Sequence, residues 1–150
     1  MNDLEKRLRE LEKTLDAEQK MLFSLKSVHN FLLYYKQLVH YKPQVQELLI
    51  TYFNVMQREN YCIDKDKSTE LAFKYIYNIG RYYAADLGFK TETDLGFAIF
   101  WGVLTDFLLL LAGLLSKIHY IPIMTLILIC YWGYVREFYE KKNKIFGIRY

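Results

Sequence analysis

The sequence predicts an all-α membrane protein with three parts. These are a long N-terminal coiled-coil-like helix, a small cytoplasmic helical region and a C-terminal two-helix transmembrane hairpin. Three observations predict it. Leucines recur at spacings of three and four through residues 2–41. Apolar and aromatic residues keep helical rather than alternating spacing through residues 43–94. Two apolar runs, residues 95–115 and about 118–135, follow, joined by a tight connection around residues 116–120. The chain divides accordingly into residues 1–42, 43–94, 95–135 and a basic tail, 136–150.

In the first part, Leu4, Leu8, Leu11, Leu15, Leu22, Leu25 and Leu32 form a heptad seam, with Glu18 and His29 filling two gaps. Such a seam has two uses. The first is parallel self-association, with Leu4, Leu8, Leu11, Leu15, Leu22 and Leu25 as the contact residues. The second is packing against the chain's own helices, which Phe23, Phe31, Leu33 and Tyr34 favour by widening the apolar face.

Pro43 ends this helix and suits the first turn of the next. The second helix reaches about residue 60, with Val45, Leu48, Leu49, Tyr52, Phe53 and Met56 on one face. A polar connection, residues 60–67, leads to a third helix capped by Asp66 or Ser68 and closed by Gly88. Leu71, Phe73, Tyr75, Ile76, Ile79, Tyr82 and Tyr83 make that helix apolar over more than half its circumference. It therefore packs between other helices or lies at lipid headgroup level.

Thr91 and Asp94 have capping-box spacing ahead of the first apolar run. At ~1.5 Å per residue that run is long enough for a hydrocarbon core of ~30 Å. Phe97, Phe100 and Trp101 near its start, and Tyr131, Trp132 and Tyr134 near the end of the second run, would meet at one water interface. Trp101, Trp132, Tyr134 and Arg136 are the interface residues in this reading. Residues 1–94 hold 14 Lys/Arg against 14 Asp/Glu, so the net charge of +3 arises elsewhere. Residues 136–150 hold five basic side chains against two acidic ones, as expected of a cytoplasmic flank. The expectation is an integral protein of the bacterial inner membrane with both termini cytoplasmic. Lys117 and His119 would lie on the far side, and Pro122 early in the second helix.

Asp106 does not belong in lipid. A central Asp costs ~3 kcal/mol on an insertion scale, while each Leu, Ile, Phe or Val returns ~0.3–0.6 kcal/mol. Residues 95–115 contain thirteen of these, so the run tolerates the Asp provided it faces protein or water. On a helical wheel Ala98, Gly102, Thr105, Asp106, Leu109, Gly113 and Ser116 share one stripe; Phe97, Trp101, Leu104, Leu108, Leu111 and Leu115 oppose it. Small residues at Ala98 and Gly102 allow close helix approach. Three roles are open for the carboxylate. It could join a ring of copies lining a cation path with Thr105 and Gly102. It could be a buried, protonated contact to Thr125 or a backbone carbonyl. It could pair with a partner's cation. Ala98, Gly113 and Ser116 complete the candidate lining or contact set.

Other chemistry is not in evidence. His29, His40 and His119 are scattered without a second ligand at metal spacing, and Cys62 and Cys130 are far apart. No nucleophile–base arrangement or phosphate loop is present, so neither an enzyme, a metal nor a cofactor is expected. Tyr75, Tyr77, Arg81 and Tyr82 could stack bases, but their neutral surroundings argue against an extended nucleic-acid surface. The partners expected are the lipid bilayer and further copies of the chain; a cytoplasmic ligand or protein partner is not readable. The functional expectation is a homo-oligomeric channel or pore-forming effector gated by its cytoplasmic helices. The alternative is a non-conducting accessory subunit of a larger membrane complex. The layout, a compact helical region followed by two apolar runs, is similar to that of small membrane effectors of bacterial anti-phage defence.

Overall fold

The computed structural model describes residues 2–92, 95–111 and 122–148. The chain divides into two units: Met1–Glu92 with Asn143–Tyr150, and Thr93–Lys142. The first contains α1 (Asn2–Thr14), α2 (Ala17–Leu22), α3 (Leu25–Tyr34), α4 (Lys42–Arg58), α5 (Lys65–Leu71), α6 (Tyr77–Leu87), β1 (Lys90–Thr91) and β2 (Ile145–Phe146). A 3-10 turn, Tyr35–Gln37, follows α3, and a π-helical stretch, Ala72–Ile76, joins α5 to α6.

The expected long N-terminal helix is broken twice. The Asp16 carboxylate accepts from Gln19 N at 2.7 Å, which starts a new helix instead of continuing the old one. Ser24 then takes a left-handed conformation, φ 48°, which no continuous helix accommodates. The break strands carbonyls at the end of α2, and buried hydroxyls reach them. Ser68 Oγ donates to Leu22 O at 2.5 Å, and Tyr52 Oη donates to Phe23 O at 2.7 Å. Burial pushes the Tyr52 phenol far above its ordinary value, so it stays a donor.

Folding back changes the use of the leucine stripe. Leu4, Leu8, Leu11, Leu22 and Leu25 are buried within this unit, and Leu15 packs at the edge of its core. The residues in the seam's gaps, Glu18 and His29, are exposed, and His29 Nδ1 lies 3.0 Å from Glu12 Oε1. The helix of residues 42–58 buries Val45, Leu49, Tyr52, Phe53 and Met56. Asp64 caps α5, accepting from Lys67 N at 2.8 Å; Asp66 lies in the helix's first turn, and Ser68 is buried and bonded to Leu22 O. Gly88 closes α6 at φ 69°.

The C-terminal residues return to this core. β1 and β2 run parallel, Lys90 beside Ile145 and Thr91 beside Phe146. Asn30 Nδ2 donates to Ile145 O at 2.8 Å, and Ser27 Oγ exchanges bonds with Gly147 N and O at 3.1 and 3.2 Å. Phe146 packs on Phe31, and its ring fills the space a Cβ on Gly80 would need. The expected basic tail is therefore not a solvated flank: its first residues extend a helix, and Ile145 and Phe146 are core.

Asp86 ties the segment after α3 to α6. It accepts from Val39 N at 3.1 Å, from His40 N at 3.0 Å and from His40 Nδ1 at 3.0 Å. Burial works to raise this carboxyl, but the bonds from His40 and Val39 outweigh it and hold it below its ordinary 3.8. A lowered folded-state value means that the stabilisation is complete above the unfolded value. It is lost as pH falls through the folded one. The stability gap between the wild type and Asp86→Asn should be full at neutral pH and close below about pH 4. Urea titrations from pH 7 to pH 3 would measure it.

The second unit is a helix pair, α7 (Leu95–Leu111) and α8 (Ile123–Lys141). Among the described residues, no helix is long and apolar enough to cross a membrane. α7 has 17 residues, so it rises only ~26 Å, and the last two turns of α8 carry Arg136, Glu137, Glu140 and Lys141. This overturns the transmembrane hairpin, the integral-membrane placement with cytoplasmic termini, and the description of the chain as a transmembrane channel. The sequence run behind that expectation extended through residues 112–121. Gly113, Ser116, Lys117 and His119 lie there, and with Asp94 they fall outside the described residues.

Candidate functional site

Two features of the helix pair stand out: a polar clasp between its helices and an apolar exterior. The clasp begins with Pro122, which precedes α8 and has no side-chain oxygen to cap it. The first N–H groups of α8 need an acceptor from elsewhere. Asp106 supplies it from α7. Its Oδ1 accepts from Met124 N at 2.9 Å, and its Oδ2 accepts from Thr125 N at 2.9 Å and Thr125 Oγ1 at 2.7 Å. Asp106 is fully buried. Burial acts to raise its carboxyl, but the three donors outweigh that and hold it below the ordinary value. The three donors favour the charged form of the carboxylate, as does its place at the positive end of the α8 dipole.

Gly102, one turn earlier, makes the approach possible. A Cβ there would lie 2.5 Å from Thr125 Cα and 2.9 Å from Thr125 Oγ1. Ala98 and Leu109 are half-buried on the same stripe. Thr105, also half-buried, donates its hydroxyl to Trp101 O within its own helix at 2.8 Å, so it adds nothing to the clasp. The Asp106 side chain thus meets α8 of its own chain.

The exterior is the opposite of the clasp. Among the described residues, fifteen large apolar side chains on α7 and α8 are exposed, from Ile99 to Phe138. At 100° per residue, those on α7 cover more than half of its circumference. Asp106 is the one charge among residues 95–111, and it faces inward. At roughly 150–250 Å² per large side chain, the exposed apolar area is about 1,500 Å², against the ~800 Å² that one partner gives a standard interface. Scattered surface apolar residues need no explanation, but a patch of this size does.

The residues expected at an interface belong to this exterior. Trp101 is 47 % exposed and packs edge-on to Phe100, and Tyr134 is 68 % exposed beside Phe138. Arg136 lies over the half-buried Trp132 ring, 5.3 Å from its centroid, and 4.0 Å from Glu140. The sequence offered Thr125 as one partner for Asp106 and missed the backbone N–H donors of Met124 and Thr125. The signal was Pro122, a residue that starts a helix without capping it.

Among the described residues there is no group of three His, Cys, Asp or Glu side chains placed to hold a metal ion. Cys62 and Cys130 are both exposed thiols. A cleft between α1 and α3, about 210 Å³, is lined by Leu8, Arg9, His29, Leu32 and Lys36 among others. No protein-family model matches the chain, and no curated protein or solved structure matches it either.

Proposed function

We propose that the protein is a non-catalytic assembly subunit, and that its helix pair packs against the helix pairs of further copies. The observation that carries this reading is the apolar exterior of α7 and α8, about twice what one standard partner would cover. The clasp supports it. A pair already locked by Asp106 loses little further freedom on docking, which favours association. The unit containing α1 to α6 has its own leucine stripe already buried.

The test is the mass in solution of the wild type and of a Leu108→Glu, Ile127→Glu variant, with helix content followed by circular dichroism. Both positions are more than half exposed, so the fold should survive. The expected result is a discrete multiple of 18.1 kDa for the wild type and a helical chain of 18.1 kDa for the variant. An unchanged variant mass would overturn the reading. So would a wild-type monomer that floats with phosphatidylcholine vesicles, which would assign the exterior to lipid.

A further inference from the structure

Along α8, one line of the apolar exterior keeps coiled-coil spacing and has charged residues on its flank; the exposed α7 line Phe100, Val103, Phe107 and Leu110 shares the spacing but has no exposed charge beside it. Met124, Ile127, Tyr131, Tyr134 and Phe138 follow one another at three, four, three and four along α8. All five are exposed, between 38 and 68 %. The 3.5-residue period is that of a coiled-coil seam, in which each side chain drops between four from a facing helix. α8 buries Thr125 on its opposite side, so the helix meets α7 with one face and keeps this seam on the other. The leucine stripe of α1 has no such freedom, because its residues are core.

We infer that α8 is a dimerisation helix, whose seam pairs with the same seam of a second copy, parallel and in register. This rests on the self-assembly reading above and names its geometry. Charge complementarity fixes the direction. With Met124, Tyr131 and Phe138 at the first core position of each heptad, Glu137 and Lys142 stand on the flanks, five residues apart. That is the spacing at which flanking charges meet across a parallel, in-register pair. Glu137 of each copy then faces Lys142 of the other, giving two equivalent ion pairs. Within one chain Glu137 already pairs with Lys141 at 2.7 Å, and the Lys142 ammonium covers the Phe138 ring at 4.0 Å. The cationic end of α8 is therefore organised around the seam's last residue. Two heptads, ~21 Å of helix, make a short coil. An isolated peptide of that length would not hold, since helix nucleation is costly. Here α8 is already formed against α7 and capped by Asp106 before a second copy arrives.

Oxidative cross-linking of the full chain in a Cys62→Ser, Cys130→Ser background tests this. Single cysteines at Ile127→Cys and at Tyr134→Cys should each give a disulfide-linked dimer, because equal positions meet in a parallel register. Phe107→Cys, exposed on α7, should not. A dimer from Phe107→Cys with Tyr134→Cys silent would overturn the inference and leave self-assembly standing. A monomeric wild type would overturn both. As an independent measure, Glu137→Lys should weaken dimerisation about tenfold, and adding Lys142→Glu should restore most of it. A dissociation constant unmoved by either change would rule out the parallel pairing.

Discussion

Phe31→Ala should destabilise the first unit by about 3–5 kcal/mol, the cost of emptying a fully buried aromatic site. Phe31 is 0 % exposed, and its ring meets aromatic residues that the chain order keeps apart. Its ring lies 4.8 Å from Tyr83 on α6, 6.0 Å from Phe89 beyond Gly88, and 5.7 Å from Phe146 on the returning C-terminal strand. Its backbone carbonyl also accepts the Tyr83 hydroxyl, whose ionisation burial suppresses. Removing the ring opens a cavity bordered by three aromatic side chains that rigid elements prevent from collapsing inward. Leu33, two residues on and 54 % exposed, is the control. Leu33→Ala should change stability by no more than about 0.5 kcal/mol. Urea denaturation followed by tyrosine fluorescence and circular dichroism would separate the two. Equal losses would mean that Phe31 is not the centre of the core.

The second large effect is expected at the clasp. Gly102→Val should cost about 3 kcal/mol and part α7 from α8, since the new side chain meets a backbone atom and cannot turn away from it. The obstruction is Thr125 Cα at 2.5 Å, on the residue that donates two of the three bonds to Asp106. The added methyl groups and the Asp106 bonds cannot occupy the pair together. Hydrogen exchange at the Met124 and Thr125 amides would report it directly, with protection lost in the variant. Gly133 provides the comparison, because nothing lies within 4 Å of a Cβ placed there. Gly133→Ala should leave both amides protected and raise stability by about 0.5–1 kcal/mol through helix propensity. Protection retained in Gly102→Val would contradict the close contact.

Much of the helical framework was legible in the residues, and the departures have local causes. Pro43 places the start of α4, and Gly88 closes α6 in the left-handed conformation that a residue after a helix adopts. The leucines at positions 4, 8, 11, 22 and 25 are apolar for the reason their spacing implies. Periodicity, however, does not say whether a stripe meets its own chain or another. That depended on Asp16 and Ser24, short polar residues whose preference for caps and turns outweighed the heptad pattern. The β1–β2 pair could not be read at all. It consists of two residues on each side, joined across more than fifty positions, and short strands of that kind carry no alternation to detect. Ile145 and Phe146 looked like part of a basic tail because five cations surround them, yet the dipeptide is what Phe31 and Gly80 accommodate.

At the candidate site, the oddity of Asp106 was visible, and contact with Thr125 was one of three roles left open. A carboxylate in an apolar helix signals an unmet partner. Hydropathy cannot tell a neighbouring copy from the uncapped start of the next helix. Pro122 decides it, by leaving the α8 amides of Met124 and Thr125 without a local acceptor. The remaining apolar residues of α7 and α8 suggested lipid by their number alone. Their placement around a 17-residue helix and a charged-ended 19-residue one directs attention instead to what covers the outside of a pre-assembled pair.

Sedimentation equilibrium of the wild type, from micromolar to hundred-micromolar concentration, asks most directly whether other copies cover that surface. A buoyant mass fitting an even multiple of 18.1 kDa, dissociating on dilution, is the predicted result. A single species of 18.1 kDa throughout, freely soluble with α7 and α8 exposed, would contradict it.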